Sequence, residues 1–372
     1  MKIAVLTNDY PPELKGGAGI IAEMQTRELE KRGHAVRIFY NSLDFSKIGA
    51  FRRLFVHLKD LYARPKLVKA VLDWRPEVLL THNLTGCGFS TPRAIQRQGI
   101  PWAHFLHDVQ LIEPSGKIFD QERFPTFKRP WRSAWSGLRK AVFGSPQMVI
   151  SPTLWMLAFH KRFGFFKHTK TTVIANPLGG DFFRAAQGQT SDGGVYKPPA
   201  TQRTEILFIG RLDYDKGILT LLEAWQMLGD ERPVLNLIGQ GEYYKYLKGL
   251  GDERLVIFGR QSRAMIAEKL KQRPIVVMPS LVLENQPTVI LEAMAFGCSI
   301  IASDVGGIAE TLDGCCRLVP SGNSAALAHA ILTELREPAD EDQRSVLQRK
   351  ILKFHNPAAA GASLESVLKS NL

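Results

Sequence analysis

Two glutamates separated by seven residues carry the sharpest chemical signal in this sequence: Glu284-Asn285-Gln286-Pro287-Thr288-Val289-Ile290-Leu291-Glu292. The apolar run Ile275–Met278 reads as a strand ending at Pro279-Ser280. Pro287 suits a first helical turn, where its missing N–H costs nothing. Val289, Ile290 and Met294 form an apolar stripe, and Gly297 is placed to cap the helix. Glu284 therefore falls in a loop at the carboxyl end of a strand, and Glu292 a little over one turn into the helix. Ionised carboxylates only accept hydrogen bonds, so both suit sugar or ribose hydroxyls. N–H groups opening such a helix favour an anion, a diphosphate for example. Either glutamate alone is most simply a solvated helix residue. Two of them flanking one helix start are harder to dismiss.

Other candidates are weaker by themselves. Gly16-Gly17 would let a backbone approach a phosphate, but a plain tight turn explains them equally well. His82, His104 and His107 sit at predicted strand ends, and a lone histidine is usually structural. No His/Asp/Glu cluster has metal-ligand spacing and no Asp-x-Asp falls in a suitable loop, so metal independence is expected, with no cofactor. Cys87, Cys298, Cys315 and Cys316 form no CxxC pair and read as buried free thiols of a reducing cytosol.

The elements that must position these groups alternate. Ile3–Leu6, Val36–Tyr40, Val78–Thr81, Trp102–Leu106 and Met148–Ser151 read as strands in the first half. Glu205–Ile209, Val234–Ile238, Leu255–Phe258, Ile275–Met278 and Ser299–Ala302 follow in the second. Helical stretches lie between them, which predicts parallel sheets covered on both faces. Residues 184–203 have the Gly, Gln, Ser and Pro content of a linker. The 372 residues, 45% of them hydrophobic, suit two domains. The expected division is a first domain over 1–180, a linker over 181–203 and a second domain over 204–352. No apolar run is long enough to span a membrane, and the N-terminal one is too short for a signal peptide.

Here the residues resemble a known family. E-N-x-P-x-V-x-L-E-A-M-A-x-G closely resembles the signature of the large retaining glycosyltransferase family that includes bacterial lipopolysaccharide and mannosyl transferases (family 4, glycosyl transferases group 1). Phe208-Ile209-Gly210-Arg211-Leu212-Asp213-Tyr214-Asp215-Lys216-Gly217 resembles its G-R-L-x-x-x-K-G element. Leu237–Gly241 resembles its next strand end, and Ser303–Glu310 its D-x-G-G-x-x-E turn. The resemblance implies an α/β GT-B fold: two Rossmann-like, doubly wound domains facing across a cleft. The last helix, about 353–372, would pack back on the first domain. The nucleotide sugar would bind mainly the second domain and the acceptor the first.

The same resemblance assigns roles. Arg211 and Lys216 would bind the donor diphosphate, where two fixed cations stabilise a departing pyrophosphate without a metal. Glu284 would lie beside the transferred sugar, Glu292 on ribose hydroxyls and Arg260 near the base. Gly210, Asn285, Gln286, Pro287, Thr288 and Val289 belong to the same donor-binding elements. The N-terminal half matches more loosely. Asp9-Tyr10-Pro11-Pro12 before Gly16 and Gly17 resembles the opening donor-binding loop. His107-Asp108 resembles an H-D pair whose histidine approaches the donor sugar. His107, Glu284, Arg211 and Lys216 are thus the implied catalytic set, and His82 and His104 stay structural. Retention is implied too. A glutamate nucleophile and front-face attack both remain open, with front-face attack favoured.

Charge adds a second partner. The net charge is +12, yet residues 1–180 hold 27 Lys/Arg against 13 Asp/Glu, while the remainder is slightly acidic. Phe51, Leu54, Phe55, Leu58, Leu61 and Tyr62 recur at helical spacing among Arg52, Arg53, Lys59 and Arg64. Residues 123–143 mix Phe124, Phe127, Trp131, Trp135 and Phe143 with Arg123, Lys128, Arg129, Arg132, Arg139 and Lys140. Docking on an anionic membrane through Arg52, Arg53, Arg129 and Arg132 is one reading. A helix packed on its own domain with a solvated basic face is the other, and nucleic acid is a distant third because no binding module is recognisable. The expected enzyme works in the cytoplasm on a glycan or lipid-linked acceptor in cell-surface polysaccharide or lipopolysaccharide synthesis. Its rivals are a sugar-nucleotide epimerase of the same fold and a non-catalytic nucleotide-sugar-binding protein.

Overall fold

A computed structural model describes residues 1–10, 16–41, 49–120, 130–189 and 205–370, without the side chains of 50–54, 130, 131 and 181. Expectations for Pro11, Pro12, Phe124, Phe127 and Arg129, for the side chains of Arg52 and Arg53, and for most of the linker fall outside the described residues.

The strands are β1 (Lys2–Thr7), β2 (Ala35–Tyr40), β3 (Val78–Thr81), β4 (Trp102–Phe105), β5 (Met148–Ser151), β6 (Lys170–Val173), β7 (Glu205–Ile209), β8 (Val234–Ile238), β9 (Leu255–Gly259), β10 (Ile275–Met278), β11 (Ser299–Ser303) and β12 (Arg317–Val319). They pair in parallel as two six-stranded sheets, β2-β1-β3-β4-β5-β6 and β12-β11-β10-β7-β8-β9. Central strands such as β3, β4 and β5 are buried along their whole length, as helices on both faces require. The outermost strands β6 and β12 escape the sequence reading because edge strands carry polar residues and no continuous apolar run.

The second sheet has the doubly wound order whose direction reverses between β7 and β10. The first reverses between β1 and β3. In open α/β sheets such reversals leave a crevice at the carboxyl ends of the strands, where ligands bind.

The chain divides into two compact units. One comprises Met1–Ile118, Glu122–Pro177 and Pro357–Leu372, and the other Phe119–Gln121 and Leu178–Asn356. The expected linker start is corrected: Gly180–Ala186 is a helix, and Phe182, Ala185 and Ala186 lie in the second unit's core. The apolar Phe182-Phe183 pair gives that stretch a face to bury, which the Gly- and Ser-rich residues after it lack. Helix Glu341–Phe354 also belongs to the second unit. The return to the first begins at Pro357, whose helix buries Ala360, Leu364 and Leu368 beside Ile21 and Leu29.

Candidate functional site

In the second unit, three loops meet at the carboxyl ends of β7 and β10. The turn Tyr214–Lys216 ends at Gly217, with φ of 72°. A Cβ on Gly217 would overlap the carbonyl oxygen of Pro279, so only glycine lets this turn lie against the end of β10. Leu281 N–H donates to the Asp215 carbonyl at 3.0 Å. From the other side, a Cβ on Gly306 (φ 64°) would overlap the Glu284 carbonyl oxygen. Gly307 N–H donates to that oxygen at 2.8 Å. The glutamate backbone is thus clamped between the loops after β7 and β11.

Its carboxylate is fixed as well. Glu284 Oε1 accepts from Lys216 Nζ at 2.6 Å and from the buried Ser280 hydroxyl at 3.0 Å. Arg211 pairs with Asp215 at 2.6 Å and with Asp213. Arg211 and Lys216 keep 46% and 25% of their side chains exposed, so an incoming anion can reach both. The structure therefore brings Arg211, Lys216 and Glu284 together on one rim. Sequence reasoning missed Asp213 and Asp215. Two acids two and four residues after the arginine were the available signal.

Asn285 and Gln286 are buried behind this rim. Pro287 is the N-cap of helix Thr288–Ala295, one residue before the expected first turn. Glu292 is buried, and Arg263 lies 3.0 Å away. Burial raises its carboxyl above the usual range, against the opposing pull of Arg263. Arg263 also lies over the Phe182 ring, 4.6 Å from its centroid. Arg263 thus occupies Oε1 of Glu292, a pairing that no local sequence pattern marks. Arg260 is exposed just after β9. Phe119, distant in sequence, bridges Val282 antiparallel, and its ring lies 6.0 Å from that of Tyr214.

In the first unit Gly16 N–H donates at 2.9 Å to the Asp9 carboxylate, at the start of helix Gly17–Lys31. His82 follows β3 and His107 follows β4, with His82 Nδ1 and His107 Nε2 2.8 Å apart. Burial pushes His107 and His104 down to about 3, and His82 well below its usual value with the help of His107 and His104. All three are neutral at pH 7. Asp108, raised by burial, accepts from Asn83 at 2.9 Å and from Gln110 N–H at 2.8 Å. His104 binds the Thr81 hydroxyl at 2.8 Å and packs edge-on to Phe143, a structural role. His82, expected to be structural as well, is buried and is the hydrogen-bond partner of His107.

The basic windows are partly turned inward. Arg132, expected at an acceptor or membrane face, is buried in an ion pair with Glu113 at 2.9 Å. Arg139 is fully buried, with its guanidinium 4.1 Å from the Phe89 ring centroid and bonded to the Gln110 carbonyl. Desolvation pushes it down to about 10. Arg132, Ser136, Arg139 and Phe143 share the inner stripe of helix Pro130–Phe143. Arg64 pairs with buried Asp60 at 2.8 Å. By contrast Phe55, Leu58 and Tyr62 are exposed, with Lys59 Nζ 4.4 Å from the Phe55 ring centroid. Among the described residues no helix is long and apolar enough to cross a membrane.

Comparison with known proteins bears on this geometry. Residues 203–337 match the family model described as glycosyl transferases group 1, and residues 15–178 the model described as glycosyltransferase family 4. An uncharacterized glycosyltransferase of Methanocaldococcus jannaschii is 37% identical over 346 residues, covering 84% of this chain and 83% of its own. The lipopolysaccharide 1,2-N-acetylglucosaminetransferase of Salmonella typhimurium is 34% identical over 131 residues, 31% of this chain and 34% of its own. The structure of Anabaena Alr3699/HepE in complex with UDP superposes with a TM-score of 0.69 at 17% identity, covering both chains in full. The shared architecture is the GT-B fold.

Proposed function

The chain belongs to the family 4 glycosyltransferases, and from that premise we propose that it moves a sugar, with retention, from a nucleoside-diphosphate sugar to a glycan or lipid-linked acceptor in cell-surface polysaccharide synthesis. The observation that carries the reading is the Arg211–Lys216–Glu284 rim at the β7/β10 reversal. When the bond between the anomeric carbon and the diphosphate oxygen breaks, the electron pair leaves with the diphosphate. Lys216 and Arg211 offset that growing charge in exchange for their present carboxylate partners. Glu284 accepts hydrogen bonds from the sugar hydroxyls. In front-face attack the acceptor oxygen bonds the anomeric carbon on the face being vacated, and its proton passes to the departing diphosphate. Support for a nucleotide donor comes from the UDP bound to the Anabaena protein, and for a surface polysaccharide from the Salmonella lipopolysaccharide enzyme.

The test begins with a thermal-shift screen over UDP-, GDP- and ADP-sugars, since a ligand of the native state alone raises its stability. NMR of the product then reads the anomeric configuration. A donor that stabilises the protein and yields a retained linkage is the expected result. An inverted linkage, or an epimerised sugar formed from donor alone, refutes it. The exposed Phe55, Leu58 and Tyr62 beside Lys59 further support docking on anionic lipid. Liposome co-sedimentation at low salt should fall on Phe55→Ser plus Tyr62→Ser, and binding indifferent to both changes would count against docking.

A further inference from the structure

A cavity of about 390 Å³ opens in the second unit at the amino ends of β11 and β12, whereas the Arg211–Lys216–Glu284 rim lies at carboxyl strand ends. Its wall holds three of the four cysteines, Cys298, Cys315 and Cys316. The expectation of buried thiols holds for Cys87 and Cys298 and fails for the other two, which are partly exposed. Helix Ile308–Leu312 ends in Asp313 and Gly314, both at positive φ, and this sharp turn leads into the two adjacent thiols.

The four thiols are not equivalent. Cys87 Sγ donates to the Thr7 carbonyl at 3.2 Å and Cys298 Sγ to the Leu270 carbonyl at 3.4 Å, both wholly buried. Desolvation pushes these two thiols, and that of Cys316, up to about 12. Cys315 has a cation at hand. Lys350 Nζ hydrogen-bonds its side chain and donates to the Leu312 and Asp313 carbonyls at 3.3 and 3.2 Å. The other ionic partner of Lys350, the Asp313 carboxylate, is mostly in water. An adjacent ammonium stabilises a thiolate, the nucleophilic form of cysteine. The cavity adds a second preference. Buried Arg344 and partly exposed Arg317 line it against one carboxylate, Glu334, which accepts from Arg317 Nε at 3.0 Å. Nearby Arg273 is already paired with Glu341. The lining thus holds one positive charge in excess, beside the apolar side chains of Ile300 and Leu347.

We propose that Cys315 is a thiolation site, taking one half of a small anionic organic disulfide that docks in this cavity. The Cys315 thiolate, opposed by Lys350, attacks one sulfur of the disulfide. A new S–S bond forms to Cys315 and the reagent's own S–S bond breaks. The second half leaves as a thiolate with the electron pair and takes a proton from water. Cys315 is oxidised, the released half is reduced, and no other oxidant is needed. Arg317 attracts the reagent's carboxylate while Ile300 and Leu347 cover its carbon chain. None of this depends on the transfer reading.

The test incubates the folded full chain with glutathione disulfide, which is anionic, and in parallel with hydroxyethyl disulfide, which is neutral. Mass spectrometry follows the rate and maps the adduct. The expected result is one mixed disulfide, on Cys315, formed faster with the anionic reagent and absent from Cys315→Ser. Lys350→Met should slow both reagents by about tenfold, and Lys350→Arg should restore the rate. Arg317→Gln should slow the anionic reagent alone. Added salt should narrow the gap between the two reagents in the wild type, a reading that needs no variant. No adduct, or an adduct that Cys315→Ser retains on Cys87, Cys298 or Cys316, overturns the proposal. So does a rate indifferent to Lys350→Met. Equal rates for the two disulfides in the wild type overturn the anionic docking.

Discussion

At the carboxyl ends of β7 and β10, Arg211, Lys216, Asp213 and Glu284 meet as charges near solvent, and Arg211 also pairs with buried Asp215. At the ends of β3 and β4, His82, His107, Asp108 and Asn83 meet largely out of water, and the histidines are neutral. Both places lie at carboxyl strand ends of similar sheets. What differs is burial, and burial decides the chemistry. A rim that keeps its ions hydrated can exchange a carboxylate partner for a phosphate. A neutral pair with one ring sealed has no charge to exchange.

The largest expected effect of that contrast is on stability in acid. His82, His104, His107 and His160, all in the first unit, have folded pKa values far below the unfolded value of about 6.5. Above about pH 6.5 neither state is protonated and the contribution is constant. As pH falls below that, the unfolded chain binds protons that the folded one refuses, and stability drops until the folded groups titrate, at about 4 for His160 and about 3 for His104 and His107. Each histidine costs up to about 1.4 kcal/mol per pH unit in this window. Buried Asp60 and Asp108 act in the opposite sense: burial raises both, so each adds stability as pH falls through its folded pKa. In the second unit Glu292 is raised, so its protonation favours the folded state as pH falls through its folded pKa. Hydrogen exchange at pH 5 should show the first unit opening before the second. Simultaneous loss of protection, or the reverse order, would break the comparison.

Next comes the buried ion pair. Arg132→Ala leaves Glu113 charged and sealed, and should cost about 3–5 kcal/mol in urea unfolding of the first unit. A near-neutral result would return Arg132 to the surface role its sequence suggests. Lys216→Ala should lower kcat by about 10²–10³-fold while leaving the melting temperature close to wild type, because its partner Glu284 stays near solvent. A change in KM alone would make Lys216 a binding residue without a part in bond cleavage. The smallest effect is expected from Gly306→Ala, which forces a Cβ against the Glu284 carbonyl at positive φ. About 1–3 kcal/mol of strain should appear as lost stability, with kcat falling with it. Unchanged activity would mean that the clamp on Glu284 is dispensable.

Much of this was legible in the sequence, for physical reasons. Central strands such as β3 and β10 are short apolar runs because both faces are covered, and they sit where expected. Gly210, Arg211, Lys216 and Glu284 were found through a family likeness; the reasons for Gly217 and Gly306, backbone contacts with Pro279 and Glu284, exist only in three dimensions. The inward arginines were misread because charge argues for the surface. Arg132 and Arg139 in fact share a stripe with Phe143, a spacing visible in the sequence and outweighed by residue type. Pairs such as His82–His107 and Arg263–Glu292 join residues 25 and 29 positions apart on different elements. No local pattern announces such pairs.

The central claim is that the second unit's open cations hold a nucleoside diphosphate. Calorimetric titration of UDP, GDP and ADP into the wild type and into Arg211→Ala/Lys216→Ala tests it most directly. The account predicts that at least one diphosphate binds the wild type and binds the double variant about 100-fold or more weakly, the loss of two charge-assisted contacts. A nucleotide held equally well by both proteins would place the diphosphate elsewhere and contradict it.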